Sequence, residues 1–97
     1  SYTHLYLNYK VEVFTLKYQY YFGLAIKKIR NSKNISQERF SLQIGMDRTY
    51  YASIESGNRN VSINNIGKIA DGFSLSLSEL FKVVDEIRNE YNTNLNE

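Results

Sequence analysis

From about Thr15 onward, apolar residues recur at spacings of three and four, and the runs are cut short by cap residues at Ser36, Asp47, Ser62 and Ser76. That punctuation limits the chain to short amphipathic helices. Each has one apolar stripe, and each can bury it only against another helix. The pattern predicts an all-α unit of five helices joined by short loops.

In the first helix Tyr18, Phe22, Ala25, Ile26 and Ile29 repeat at three and four, with lysines between them, and "NSKN" (31–34) ends it. Ser36 then reads as an N-cap, and Glu38 suits the positive first turn of a short second helix. Phe40 and Ile44 form its stripe, and Gly45 stands where a helix ends in the left-handed region. Asp47 caps the third helix, in which Tyr51 and Ile54 face inward and which Gly57 stops. Ser62 caps a fourth, with Ile63, Ile66, Ile69, Ala70 and Phe73 as its apolar residues. "SLSE" (76–79) is a capping box, Ser76 with Glu79 three later. It opens a last helix bearing Leu77, Leu80, Phe81, Val84, Ile87 and Tyr91, after which "NTNLNE" is expected to fray.

Residues 4–14 obey a different rule. Leu5, Leu7, Tyr9, Val11 and Val13 alternate with His4, Tyr6, Asn8, Lys10 and Glu12, the period of a strand. No second run in the chain resembles a partner for it. Unpaired backbone is costly, so pairing with the same strand of a second subunit is the economical solution; a loose extension is the alternative. The organisation expected is therefore an extension over 1–14, a helical domain over 15–91 and a frayed tail over 92–97.

Composition excludes much. The 97 residues fit one domain. With no cysteine and one histidine, His4, a thiolate or histidine metal site and a histidine-based catalytic pair are ruled out. There is no Ser/His/Asp set and no phosphate-binding glycine loop, and Glu38, Asp47, Glu55 and Glu79 all have cap or loop explanations. No enzyme and no cofactor are expected. Nothing resembles a signal peptide or a run of ~18 apolar residues, so the expected location is cytoplasmic, away from any membrane.

The net charge of +2 is unevenly spread: residues 21–34 carry +4 and residues 82–97 carry −2. The positive half adjoins "GMDRTYYASIESGNRN" (45–60). Two short helices joined through Gly45, Met46 and Asp47 make a helix-turn-helix, whose second helix enters a DNA major groove amino end first. Arg48 and Thr49 stand at that end. Arginine grips guanine with two parallel bonds, and threonine bonds a base or touches a thymine methyl. Tyr50 and Ser53 share the outward face. Gln37, at the amino end of the preceding helix, and Arg59 and Asn60, just past the recognition helix, are placed for phosphates. Lys27, Lys28, Arg30 and Lys33 read as the solvated face of the first helix, with Lys27 and Lys28 as further phosphate candidates. Base stacking by the amino-terminal tyrosines is the less favoured reading; such clusters more often form core or interface.

With these elements in register (Gln37-Glu38, Gly45, Ile54-Glu55, Gly57, Ile69-Ala70 and Ser76–Phe81) the sequence resembles the Cro/C1-type (XRE) helix-turn-helix regulators over about residues 21–81. Within them, "DRTY…IE…RN" resembles the controller proteins of restriction–modification systems. That resemblance implies a homodimer built partly on the last helix, bound to palindromic double-stranded operator DNA and regulating its own promoter by blocking or recruiting RNA polymerase. It also implies that Arg48 and Thr49 read bases, that Gln37, Arg59 and Asn60 hold phosphates, and that Glu55 holds the following loop. The expected dimer contacts are Leu80, Val84, Ile87 and Tyr91 on the last helix, and Leu5, Leu7 and Val11 on the extension. Three features depart from the family's pattern: Ser41 where alanine is usual, Val61 where proline is common, and the extension before Thr15. An antitoxin or phage-type repressor of the same superfamily, binding a partner protein through that extension, is the alternative.

Overall fold

The computed structural model of the chain describes residues 17–96, with side chains through residue 94. The alternating segment, with Leu5, Leu7 and Val11, lies outside the described residues. Within them the chain forms five helices and no strand: α1 Tyr18–Ser32, α2 Gln37–Gln43, α3 Arg48–Glu55, α4 Ile63–Gly72 and α5 Leu77–Asn96.

The caps act as expected. Ser36 accepts from Arg39 N at 3.0 Å, Asp47 from Tyr50 N at 2.9 Å and Ser62 from Asn65 N at 3.3 Å. The capping box closes both ways. Ser76 Oγ accepts from Glu79 N at 3.1 Å, and Glu79 Oε1 accepts from Ser76 N at 2.8 Å. The Ser76 N–H, with the Ser76 hydroxyl second, holds the Glu79 carboxyl below the usual carboxylate range. The stops are left-handed residues: Asn34 at φ 55°, Gly45 at φ 67°, Gly57 at φ 83° and Ser74 at φ 58°.

The core gathers one stripe from each helix. Tyr21, Phe22, Ala25 and Ile26 of α1 meet Phe40 of α2, Tyr51 and Ile54 of α3, Ile69 and Ala70 of α4 with Phe73 just beyond it, and Leu80 and Val84 of α5. Phe40 is its hub. Its ring stacks on Phe73 at 4.1 Å and meets Tyr51 edge-on at 5.3 Å. Gly23 lets α1 lie directly on the end of α3; a Cβ there would stand 2.5 Å from the carbonyl oxygens of Ile54 and Glu55.

Four expectations need correction. Leu80 and Val84 are not free for a partner: at 0% and 5% exposed they are core of this chain, because α5 packs along α1. Ile63 does not join the α4 stripe; at the first helical position it is 61% exposed. Arg30, read as one of a run of surface cations, is buried. The last helix continues through Asn96, past the Tyr91 boundary. Tyr91 itself is half-buried, edge-on to Tyr20 and Tyr21 at 6.2 and 5.8 Å. Ile87 is also half-buried on the same side.

Candidate nucleic-acid interface

Helices α2 and α3 are held at a fixed angle by the turn between them. Ile44 N and Gly45 N bond back to α2, to Phe40 O and Leu42 O, each at 3.1 Å. Met46 N reaches Ser41 O at 2.8 Å. Ser41, buried at the crossing, spends its hydroxyl on Glu38 O at 2.9 Å, so a small residue suffices there. Glycine at 45 supplies the positive φ. Asp47 then starts α3 with Arg48 and Thr49 in its first turn, both exposed.

Among the described residues Arg48 makes one ion pair, at 3.7 Å from Nη1 to Glu38 Oε2, with both side chains mostly in water. Such a pair is worth little and releases the guanidinium easily. The Asp47 carboxylate beside it is engaged as the cap. Thr49 carries no side-chain hydrogen bond to the described residues.

Tyr50, Ser53 and Arg59 are not separate contacts. Tyr50 is half-buried, and its hydroxyl accepts from Asn65 Nδ2 at 3.2 Å. The Arg59 guanidinium lies 5.6 Å from the centre of the Tyr50 ring and donates from Nε to Ser53 Oγ at 3.1 Å. Ser53 in turn donates to Tyr50 O at 2.6 Å. Its proton is thus used within α3, which leaves it an acceptor for any outside group. Asn65 was missed by the sequence reading because its only link to the site is tertiary. Asn60 is exposed beside Arg59. Lys27 and Lys28 stand exposed on α1, with no bond tying them to this cluster.

A buried polar centre lies behind the surface. Glu55, the last residue of α3, takes Arg30 Nε at 2.6 Å on one oxygen and Arg30 Nη2 at 2.9 Å on the other. That second oxygen also accepts from Gln37 Nε2 at 2.9 Å. Arg30 Nη1 reaches Ile35 O at 2.8 Å, fixing the loop before α2. Burial alone would raise the Glu55 carboxyl; the bonds from Arg30 and then Gln37 outweigh it and hold it below the ordinary range. The bond to Glu55 likewise raises the Arg30 guanidinium. Burial pushes the Tyr51 hydroxyl up beside them. Glu55 therefore clamps α1 and the start of α2; it does not hold the following loop, whose Gly57 O accepts from Gln19 Nε2 at 2.9 Å.

Among the described residues no group of three metal-ligating side chains comes together, and no helix is long and apolar enough to cross a membrane.

Residues 26–80 match the family model described as helix-turn-helix. The chain belongs to the helix-turn-helix family. This is a family of DNA-binding transcription regulators and not of enzymes. Among its helix-turn-helix relatives, control protein C.MunI of Mycoplasma sp is 52% identical over 66 residues, which is 67% of this chain and 89% of that protein. Among solved structures, the restriction-modification controller protein C.AhdI from Aeromonas hydrophila superposes with a TM-score of 0.61 at 37% identity, covering 64% of this chain and 94% of that one. The controller protein C.Esp1396I, solved as a tetramer in complex with its natural 35 base-pair operator, gives a TM-score of 0.69 at 29% identity, covering 74% and 95%. The five-helix arrangement is thus that of the restriction-modification controller proteins.

Proposed function

We propose that this chain is a restriction-modification controller: a sequence-specific regulator that binds palindromic double-stranded DNA as a homodimer and acts on its own promoter. The observation that carries it is the amino end of α3. Arg48 and Thr49 project there from a helix whose turn, cap and inner face are all fixed by the fold. Arg48 reads a base with its fork, and Thr49 reads the neighbouring pair. Arg59 and Asn60 take phosphates at the end of the same helix, with Gln37, Lys27 and Lys28 flanking. The Tyr50 ring, clasped by Arg59 and Asn65, gives the groove wall a flat contact, and Ser53 offers an acceptor to a base.

In this reading two copies place their α3 helices in successive major grooves, about 34–36 Å apart. The dimer face must come from apolar residues that the monomer leaves in water. With Leu80 and Val84 in the core, Tyr18 (60% exposed) and Phe81 (38% exposed) fill that role. They border an apolar groove of about 320 Å³ between α1, α4 and α5. Ile87 and Tyr91 extend the same helix. RNA polymerase is the further partner, blocked or recruited by the occupied operator in the cytoplasm.

The test is a binding titration on the DNA upstream of this protein's gene beside a shuffled duplex of equal length, at two salt concentrations. Dimer-stoichiometric binding to the native duplex, well above the shuffled one, is expected. Equal, weak and strongly salt-dependent binding to both would remove sequence-specific control.

A further inference from the structure

The buried centre behind the recognition surface has a functional consequence, which rests on the DNA-binding reading above. The side chain of Glu55 is 2% exposed and that of Arg30 is 9% exposed, yet one of the carboxylate's bonds leads outward, to the half-buried Gln37. A carboxylate only accepts. The Gln37 amide must therefore present its NH₂ group, not its carbonyl, to Glu55. One N–H is consumed. The other, on the same nitrogen, diverges from Glu55 and meets no acceptor among the described residues.

We propose that Glu55 is a positioning residue for DNA binding: it locks the Gln37 amide so that its second N–H is presented to a DNA phosphate. Arg30 makes this workable. Its charge cancels that of Glu55, so the phosphate backbone approaches a neutral pair rather than a bare carboxylate. Its third nitrogen, Nη1, bonds Ile35 O and fixes the chain two residues before Gln37. The amide is thus oriented before DNA arrives, and binding loses no side-chain rotamer freedom at that contact.

A phosphate contact is independent of sequence, so the probe is any duplex of about two helical turns, at low salt. In ¹⁵N-labelled protein, the Gln37 side-chain amide is assigned by its loss in Gln37→Met. Duplex is expected to shift one of its two protons and leave the proton bonded to Glu55 in place. Gln37→Met is expected to weaken binding roughly tenfold, the worth of one hydrogen bond to a charged group. Glu55→Gln, nearly the same shape, is expected to weaken it about as much, and the double variant no further.

Losses that multiply in variants shown to be folded would overturn the proposal. So would an unmoved amide in a protein that does bind the duplex. If Glu55→Gln fails to fold, the amide titration on the unaltered protein decides alone. If no duplex binds under any condition, the DNA-binding reading itself fails and takes this one with it.

Discussion

At Arg48 and Arg30 the same side chain does opposite work, and the difference is solvent. Arg48 sits in water with a loose 3.7 Å partner, so its removal leaves the fold almost untouched. Arg48→Ala is expected to cost about 1–3 kcal/mol in operator binding and to relax preference at one base pair, with unchanged thermal stability. Competition titrations against single-base operator variants check this; equal weakening on operator and random DNA would show that Arg48 reads no base. Arg30 is buried against Glu55. Arg30→Met leaves an uncompensated buried carboxylate and should destabilise by ~3–5 kcal/mol in urea unfolding. The pH sign follows. Glu55 is held below its unfolded value, so its contribution is complete above the ordinary carboxylate range and is lost as pH falls through the lowered folded value. Acid unfolding of the parent should therefore be steeper than that of Glu55→Gln. The role proposed for Arg48 was legible in the sequence; the Arg30–Glu55 pair was not. Arg30 and Glu55 are 25 residues apart, with no local pattern to link them, and Arg30 stands in a run of lysines that reads as a wet face.

Among the elements, what the sequence disclosed was local chemistry. Ser36, Asp47, Ser62 and the Ser76–Glu79 box sit three residues from the amides they satisfy, so the caps that start α2 to α5 could be read directly. Side-chain direction at a helix start is less local, and Ile63 was misplaced for that reason. Backbone contact was also hidden. Gly23 sits in the middle of α1, where alanine is favoured by about 1 kcal/mol. Its missing Cβ admits the carbonyls of Ile54 and Glu55, whose oxygens would stand 2.5 Å from an added Cβ, and that backbone cannot step aside cheaply. Gly23→Ala should therefore destabilise, against its helix propensity, and should also displace the end of α3. At Ser74 the reverse holds. A serine in the left-handed region, at φ 58°, carries strain that glycine would not. Ser74→Gly should stabilise by up to about 1 kcal/mol, read as a higher urea midpoint at unchanged slope.

For the whole molecule, the question is how one small domain becomes a two-handed reader of DNA. The sequence pointed to α5, and α5 does run about 30 Å, long enough to serve both its own core and a neighbour. It could not tell which stripe does which, because leucines and valines at helical spacing look alike whether the partner is α1 or a second copy. The structure shows which residues belong to the core of this chain. Leu80 is sealed inside, and Leu80→Ala should cost ~2–5 kcal/mol and lower dimer and monomer stability together. Phe81 is on the rim beside Tyr18 and Asp85. Phe81→Lys leaves the interior untouched and places a charge on the proposed dimer face. It should yield a folded monomer by sedimentation equilibrium, with helix content unchanged. A monomer reaches only one half-site, so its preference for the palindrome over a lone half-site should vanish, while its weak binding to random duplex persists. A Phe81→Lys protein that stays dimeric and keeps the palindrome preference would move the interface away from this groove, toward Ile87 and Tyr91 farther along α5.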